Sequence, residues 1–515
     1  MTRHERFPSE AQSAAVIGSG FGGLALAIRL QSAGIRTTVY EARDKAGGRA
    51  YVYEDEGFRF DAGPTVITAP DALDELWELS GRRRSDYVSF LPVAPYYRLC
   101  WEDGTVFDYA DDQEQLDAQI RAINPADIEG YRRFLAYSRE LYVEGYEKLG
   151  TVPFMDFKKM LSVAPTLARL SAHRSVYSKV ATFIEDEHLR QAFSFHSLLV
   201  GGNPFATSAI YALIHALERK GGVWFAEGGT GALIDGMKRL FEDLGGTFRL
   251  NTPIETIEVR NDRATGIVTA DGERVAHDMV ASNGDVVHTY RDLLGDTARG
   301  KKRGAQLARK RHSMSLFVVY FGLKREHPEL KHHMVLFGQR YRELVNEIFS
   351  GTELAPDFSL YLHCPSVTDK SLAPEGQSAY YVLSPVPHMG QVDVDWETVG
   401  PAYRDKILEY LEKRYIPGLR EDLVTVRHFT PADFKSELRA HHGSAFSVEP
   451  ILTQSAWFRP HNRDKTIRNV FLVGAGTHPG AGIPGVVGSA KATAGVMLEH
   501  AGVTPVSPAF AQAAE

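Results

Sequence analysis

The chain has 515 residues, of which 43% are hydrophobic and 24% are charged, and its 58 basic and 65 acidic side chains give a formal net charge of -7. This length predicts two or three domains, and the acidic balance argues against nucleic acid as a partner. Cys100 and Cys364 are the only cysteines, so we expect neither a disulfide framework nor a metal site, and a cytoplasmic location is the default. No segment approaches the roughly 18 consecutive apolar residues that cross a bilayer.

The first predicted elements form a dinucleotide-binding unit. The apolar strand 14–17 runs into a glycine-rich turn, and a buried helix over 20–33 and a second strand over 37–40 follow. In such a turn the glycines permit a tight bend, a close approach of the backbone to a pyrophosphate, and close helix packing. An acidic residue at the end of the second strand can accept hydrogen bonds from a ribose. The predicted cofactor-binding residues of this unit are Gly18, Gly20, Phe21, Gly22, Gly23 and Glu41.

The next two motifs favour FAD over NAD. Arg49 follows Gly48 on a glycine turn, from where its guanidinium can hold a phosphate through two charge-assisted hydrogen bonds. Gly63, Pro64 and Thr65 form a rigid turn with free backbone amides and carbonyls, which suits the edge of a flavin ring. We therefore include all five residues in the predicted FAD site, with Pro64 and Thr65 at the flavin face.

The C-terminal part repeats the pattern of a strand followed by a glycine-rich turn. The strand 470–473 leads into the turn, and an Ala/Gly-rich helix follows from about residue 486 to residue 499. The N-terminus of this helix would stabilise negative charge on a reduced flavin. The predicted cofactor-binding residues here are Gly474, Gly476, Gly485 and Val486, and His478 is a third flavin-face candidate. No residue is assigned as catalytic, because FAD itself would be the reacting group.

The two ends and a middle block are predicted to form one domain. Residues 225–295 contain a glycine-led helix and several strands, and Ile254 at the start of one strand is predicted to lie near the adenine. The predicted fold class is therefore α/β, with a discontinuous Rossmann-type FAD-binding domain that comprises 1–85, 225–295 and 455–500 and is closed by the C-terminal segment.

The remaining segments are predicted to bind the substrate and to contact a membrane surface. Residues 86–150 and 296–454 are predicted to form a sheet-based substrate-binding domain. Residues 151–224 are mostly helical, and their aromatic and aliphatic residues beside lysines and arginines suit a region that lies on an anionic membrane. An amphipathic helix that only covers a core is the alternative. Residues 501–515 are small and aperiodic, as expected of a disordered tail.

Four stretches together resemble bacterial phytoene desaturases, within the carotenoid/retinoid oxidoreductase family of FAD flavoproteins. They are VIGSGFGGLALAIRLQSAG, EARDKAGGRAYVYEDEGFRFDAGPTVIT, SFHSLLVGGNPFATSAIYALIHALE and LVGAGTHPGAGIPGVVGSAKATAG. The resemblance spans residues 14–499, and GAGTHPGAGIPG is specific to carotenoid desaturases and their close relatives. It implies bound FAD, conversion of phytoene to lycopene, and peripheral attachment to the inner face of the cell membrane. A quinone or oxygen would be the electron acceptor, and an oligomer on the membrane is compatible with the sequence.

The reaction implied by the resemblance is hydride transfer from an allylic carbon to flavin N5 followed by proton loss, repeated over several steps. The intermediate cation is delocalised over the polyene and needs no strong base, and no catalytic triad or paired-carboxylate motif occurs in the chain. A long apolar cavity that ends at the flavin is expected. The alternatives are a C30 diapophytoene desaturase, a carotene isomerase or ketolase on the same fold, an amine oxidase, and a non-enzymatic prenyl-lipid escort of the Rab GDP-dissociation inhibitor type.

Overall fold

The computed structural model describes residues 12–507, so residues 1–11 and the last part of the predicted tail, 508–515, lie outside it. The strands of the described residues are β1 Ser13–Ile17, β2 Arg36–Tyr40, β3 Val52–Asp55, β4 Phe58–Asp61, β5 Phe90–Pro92, β6 Tyr97–Trp101, β7 Val106–Tyr109, β8 Trp224–Ala226, β9 Thr247–Arg249, β10 Ile254–Arg260, β11 Arg263–Thr269, β12 Arg274–Ala276, β13 Met279–Ser282, β14 Ser315–Leu323, β15 His333–Phe337, β16 Leu360–His363, β17 Ser378–Val386, β18 Leu423–Phe429 and β19 Val470–Leu472. The helices are α1 Phe21–Ser32, α2 Pro70–Glu78, α3 Gln113–Ile123, α4 Asp127–Leu141, α5 Phe157–Arg169, α6 Val176–Val180, α7 Glu187–Ala192, α8 Leu213–Gly221, α9 Gly229–Asp243, α10 Val286–His288, α11 Ala298–Ala308, α12 Tyr341–Ser350, α13 Trp396–Arg414, α14 Pro431–Glu437 and α15 Ile483–Ala501.

A five-stranded parallel sheet unites the two ends of the chain with its middle. Its strand order is β19-β13-β1-β2-β9, and every neighbouring pair is parallel. Because the carboxyl ends of parallel strands meet at one edge, the turns that follow β1, β2, β13 and β19 lie at the same edge of the sheet. The predicted α/β class, with a Rossmann-type unit closed by the C-terminal segment, is confirmed.

Helices α1, α9 and α15 share one apolar core beside this sheet. Residues 21–30 of α1 are all buried, which explains why this helix carries almost no polar side chains. Small residues on α15, such as Ala490 and Ala494, are also buried and allow α15 to approach α1 closely. Val503 and Val506, beyond the end of α15, still pack against this core.

The second large element is a seven-stranded sheet with the order β18-β14-β17-β16-β15-β6-β7, antiparallel except between β15 and β6. Side chains on β14 alternate between its two faces, as strand geometry requires. Phe317, Val319 and Phe321 pack in the core formed with α13. Val318 and Tyr320 lie on the opposite face of the sheet, in a separate core that includes residues of α4. The boundaries of the three predicted domains remain predictions.

Candidate active site

One large cavity extends from the carboxyl edge of the five-stranded sheet to the seven-stranded sheet. Its volume is about 1210 Å³, above the roughly 300–1,000 Å³ of most small-molecule sites. The turns after β1 and β2 line one end, and apolar side chains such as Val318, Val335, Leu360 and Leu383 line the other. The cavity therefore joins a polar end with glycine turns to a long apolar end.

The turn after β1 touches the turns after β13 and β19 so closely that only glycine fits. Gly18 has a φ of +91°, in the left-handed region that favours glycine. A Cβ atom at Gly22 would lie 2.7 Å from Asn283 Oδ1 and 3.1 Å from the Cα atom of Gly474. A Cβ atom at Gly23 would lie 2.0 Å from the carbonyl oxygen of Gly18. These close approaches fix the polar end of the cavity.

Glu41 is buried and holds this turn through its carboxylate. Its Oε2 accepts hydrogen bonds from Ser19 N at 3.0 Å and Ser19 Oγ at 2.5 Å, and its Oε1 accepts one from Arg43 N at 3.0 Å. An ionised carboxylate has about four acceptor positions. About one position therefore remains for a donor from the cavity, and a ribose hydroxyl is a suitable donor.

Arg49 lies on the turn Gly48–Ala50 in the cavity wall. Its Nε atom is buried and has no hydrogen-bond partner. Burial lowers the pKa of Arg49, and the negative charge of Asp285 acts against this effect. Buried polar groups almost always have a partner, so a guanidinium with an unpartnered Nε beside a glycine turn is suited to a phosphate group.

The turn of Gly63, Pro64 and Thr65 is held by tyrosines of the seven-stranded sheet. Thr65 Oγ1 lies 2.8 Å from the Tyr381 hydroxyl and 3.3 Å from the Tyr361 hydroxyl. The Tyr381 hydroxyl lies 3.0 Å from the carbonyl oxygen of Gly63, to which it can donate. Burial raises the pKa of Tyr361 and Tyr381. Both hydroxyls therefore stay protonated and hold the turn in place.

The backbone amides at the glycine-led start of α9 are bound by the side chain of Asp61. Asp61 accepts hydrogen bonds from Thr230 N at 2.8 Å and Gly231 N at 3.2 Å. Thr230 Oγ1 in turn donates to the carbonyl oxygen of Pro64 at 2.9 Å. The N-terminus of α9 thus adds a further hydrogen bond that positions the turn around Pro64.

The closing segment brings the N-terminus of α15 to the cavity, where Gly485 and Val486 line the wall. The turn before this helix is fixed by the buried side chain of Arg459. Its Nε donates to the Thr477 carbonyl at 3.0 Å, and its Nη2 donates to the carbonyls of Val448 at 3.0 Å and Ala475 at 2.6 Å. The sequence alone gave no role to Arg459.

His478 connects the closing turn to the helical region. Its Nε2 lies 2.8 Å from the Leu149 carbonyl, to which it donates, and its ring packs edge-on against Phe154. Burial lowers the pKa of His478 to about 4. The side chain is therefore neutral near pH 7 and supports the cavity wall.

Most residues predicted to bind the cofactor come together in the wall of this one cavity. The predicted residues in the wall are Gly18, Gly20, Phe21, Gly22, Glu41, Gly48, Arg49, Gly63, Pro64, Thr65, Ile254, His478, Gly485 and Val486. Gly23, Gly474 and Gly476 lie behind the wall, where a Cβ atom would meet neighbouring residues. Their contribution is to packing, and contact with the cofactor stays a prediction for all of these positions.

Sequence reasoning missed Asn283 and Asp285. Both lie in the cavity wall just after β13. Asp285 Oδ1 accepts a hydrogen bond from Val287 N at 2.8 Å, whereas its Oδ2 is buried without a partner. The available signal was a polar cluster directly after a buried strand, at the edge where β1 and β19 also end.

Helix α5 lines the cavity with one side and exposes apolar residues on the other. Met160 and Leu167 contribute to the cavity wall, whereas Phe157 and Leu161 are 45% and 57% exposed. Phe458, 40% exposed, lies nearby, because Trp457 contacts the rings of both Phe157 and Phe458. We call Phe157, Leu161 and Phe458 the apolar patch. Over residues 12–507, no helix is both long and apolar enough to cross a membrane.

The residues at the polar end of the cavity fit FAD. The buried, unpartnered Nε of Arg49 offers a donor for a phosphate, and the close glycine turn lets backbone approach the same group. Glu41 keeps about one acceptor position for a ribose hydroxyl. The flavin would then lie toward the turn at Pro64 and the N-terminus of α15, between the polar and apolar ends.

Comparison with known proteins agrees with this geometry. The family model of flavin containing amine oxidoreductases matches residues 21–498. A lycopene-forming phytoene desaturase of Paracoccus sp. (strain N81106 / MBIC 01143) is 65% identical over 95% of this chain and 97% of that protein. A lycopene-forming phytoene desaturase of Pantoea ananas is 65% identical over 94% of this chain and 98% of that protein. The solved structure of cyclohexylamine oxidase from Brevibacterium oxydans IH-35A shares the fold, with a TM-score of 0.60 and 18% identity over 96% of this chain and 100% of that one. The chain therefore belongs to the flavin-containing amine oxidoreductases and, within them, to the phytoene desaturases.

Proposed function

We propose that this protein is an FAD-dependent oxidoreductase that desaturates phytoene to lycopene in carotenoid biosynthesis. The observation that carries the proposal is the single cavity that joins the glycine turns to a long apolar wall, in a chain of this family. A hydrocarbon substrate has no charge and no hydrogen-bonding group, so it requires an apolar wall of this kind. The two relatives at 65% identity are both lycopene-forming. This favours lycopene as product over the C30, isomerase, ketolase, amine oxidase and escort alternatives.

The protein contributes binding, orientation and exclusion of water. FAD, when bound, would supply a hydride acceptor for an allylic carbon of the substrate. The turn at Pro64 and Thr65 is fixed by Tyr381 and by Thr230, so this part of the wall is rigid. The N-terminus of α15 directs partial positive charge toward the same region, which favours negative charge there. The apolar side chains of the sheet would let the polyene slide between successive desaturations.

The direct test uses purified protein, FAD and phytoene in liposomes under anaerobic conditions. We expect the flavin absorption to bleach under anaerobic conditions. Once air is admitted, so that the flavin is reoxidised between the successive two-electron steps, we expect a polyene with the absorption spectrum of lycopene to be extracted. Flavin that binds but stays oxidised, with phytoene unchanged, would refute the desaturase and favour the isomerase, ketolase or C30 alternatives. A protein that binds no flavin would favour the lipid escort.

We also infer that the apolar patch attaches the protein to the inner face of the cell membrane. The patch lies on α5, whose Met160 and Leu167 line the cavity, so a lipid substrate could enter from the bilayer beside it. Exposed Lys158 on the same helix and Lys465 near Trp457 suit an anionic headgroup layer. The electron acceptor, a quinone or oxygen, and an oligomer on the membrane stay predictions.

Vesicle binding tests this attachment. Leu161→Ser and Phe157→Ser should each lower the partition of the protein onto anionic phospholipid vesicles, by about tenfold, because an apolar side chain that enters the bilayer contributes about 1.5 kcal/mol. Val106→Ser is the matched control, since Val106 is 47% exposed on β7, away from the patch. Equal vesicle binding by all three variants and the wild type would refute the patch as the attachment site.

A further inference from the structure

Three buried histidines form a cluster beside the cavity, and we call His332, His333 and His363 the histidine triad. His333 begins β15 and His363 ends β16, and the two residues are direct partners across the antiparallel pair. His332 precedes β15. One ring nitrogen from each residue lies within 4.8 Å of the other two, and the three residues are at most 4% exposed.

The triad contains ring nitrogens that no protein group satisfies. His332 Nδ1 lies 2.6 Å from Thr368 Oγ1, and His333 Nδ1 lies 2.6 Å from the Tyr361 hydroxyl. The Nε2 atoms of both residues are buried without a hydrogen-bond partner. The ring of His363 is buried as well, and its polar contact within the protein is with the backbone of His332. Buried polar atoms are rarely left in this state, so unpartnered ring nitrogens in a cluster whose ligand atoms lie within 4.8 Å of one another point to a ligand between them.

The surroundings of the triad are those of a metal site. Histidines that bind a metal through one nitrogen usually have the other nitrogen bonded to a polar group that fixes the ring, as Thr368 and Tyr361 do here. Aromatic rings of Phe225 and Tyr381 pack against the triad and shield it from bulk solvent. The negative charge of Asp369, which acts on His332, would compensate part of the charge of a cation.

We propose that the histidine triad binds a divalent first-row transition metal ion, with zinc as the first candidate. The ligands are the Nε2 atoms of His332 and His333 and one ring nitrogen of His363. Imidazole ligands without carboxylates favour zinc, copper, nickel or cobalt over magnesium and calcium. Tetrahedral zinc with bonds of about 2.0 Å places its nitrogen ligands about 3.3 Å apart, so the ring nitrogens would approach one another by up to about 1.5 Å. A water molecule would complete the fourth position.

Such an ion would act on the cavity through a chain of hydroxyl groups. A metal on Nε2 of His333 leaves the proton of that ring on Nδ1, which then donates to the Tyr361 hydroxyl. The Tyr361 hydroxyl in turn lies 3.3 Å from Thr65 Oγ1, at the turn predicted to face the flavin. The triad is therefore a positioning site for Thr65 and does not itself contact the substrate.

The test measures metal binding by the full-length protein without a polyhistidine tag. Protein stripped with a chelator is incubated with Zn²⁺ or Co²⁺ and desalted, and the bound metal is measured by mass spectrometry. We expect about one ion per chain, and for Co²⁺ the visible absorption of a tetrahedral site at wavelengths beyond the flavin bands. His363→Phe and His333→Phe should lower the metal content at least tenfold.

A matched control separates loss of a ligand from loss of a buried histidine. His215→Phe is that control, because His215 is also buried and stacks on Tyr109 but lies outside the triad. It should bind as much metal as the wild type. Wild-type protein that takes up neither ion, or a His363→Phe variant that retains full metal, would overturn the proposal. Flavin content reports whether each variant is folded. The measurement of metal uptake by the wild type tests the proposal even if a variant does not fold. No phytoene is used, so the outcome does not depend on the proposed reaction.

Discussion

Two arginines beside the cavity are expected to respond in opposite ways to the same substitution. Arg49 has a buried Nε atom without a partner, so Arg49→Met leaves no carbonyl group without its donor in the apo-protein and removes only the attraction to Asp285. The free energy of unfolding of the apo-protein should therefore change little or rise. If Arg49 holds a phosphate of FAD, the variant loses at least one charge-assisted hydrogen bond of about 3 kcal/mol, which raises the Kd for FAD roughly a hundredfold.

Arg459→Met should instead destabilise the apo-protein. Arg459 donates hydrogen bonds to three carbonyl groups of the closing turn and its neighbours, and the side chain is 1% exposed. Without these donors, three acceptors lose their partners at roughly 1–3 kcal/mol each. We expect the free energy of unfolding of the apo-protein to fall by roughly 4 kcal/mol.

Urea unfolding of the apo-proteins and fluorescence titration with FAD measure the two effects separately. Arg49→Met should keep the urea midpoint of the wild type and bind FAD weakly, whereas Arg459→Met should shift the midpoint. A normal Kd for FAD in Arg49→Met would refute our placement of this residue in the cofactor site. If Arg49→Met loses as much apo-protein stability as Arg459→Met, Arg49 is instead a structural residue.

Three further substitutions test the packing, the pH dependence and the apolar wall. Gly23→Ala should abolish FAD retention, because its Cβ atom would clash with backbone, whereas Gly495→Ala, with no atom within 4 Å of its Cβ, should stabilise α15 by about 1 kcal/mol. Flavin content and thermal unfolding are measured for both variants. Equal flavin content in the two variants would contradict the predicted clash at Gly23. The pKa of His478 is about 4 when folded and 6.5 ordinarily, so the unfolded chain binds the extra proton between these values, and stability should fall as pH drops from 6.5 to 4. His478→Gln should reduce this slope by up to about 1.4 kcal/mol per pH unit, measured by urea unfolding across that range, and an unchanged slope would show that His478 does not contribute. Met160→Trp narrows the cavity wall at α5 and should shift the products toward polyenes with fewer double bonds, seen in the absorption spectrum of the extract, whereas an unchanged lycopene yield would place the polyene away from α5.

The sequence by itself determined the local units of the fold. The turn after β1 and the turn before α15 were predicted because their signals are local: an apolar strand, glycines that permit a tight bend, and a periodic helix. The helix predicted over 20–33 is found at Phe21–Ser32, and the C-terminal helix predicted from about 486 to 499 begins three residues earlier, at Ile483. Pro484 at the start of α15 explains this difference, since proline is well tolerated in the first turn of a helix.

Only the tertiary structure decided which distant groups meet. Asn283 lies against Gly22 and Gly474 because β13 is inserted between β1 and β19, an order that no local pattern specifies. The backbone amides at the glycine-led start of α9 are bound by Asp61, a partner that no local pattern specifies. The sequence predicts no metal site, whereas the register of β15 and β16 places His333 opposite His363. Strand order and register depend on the burial of whole apolar faces, so they are properties of the assembled sheets and not of any single segment.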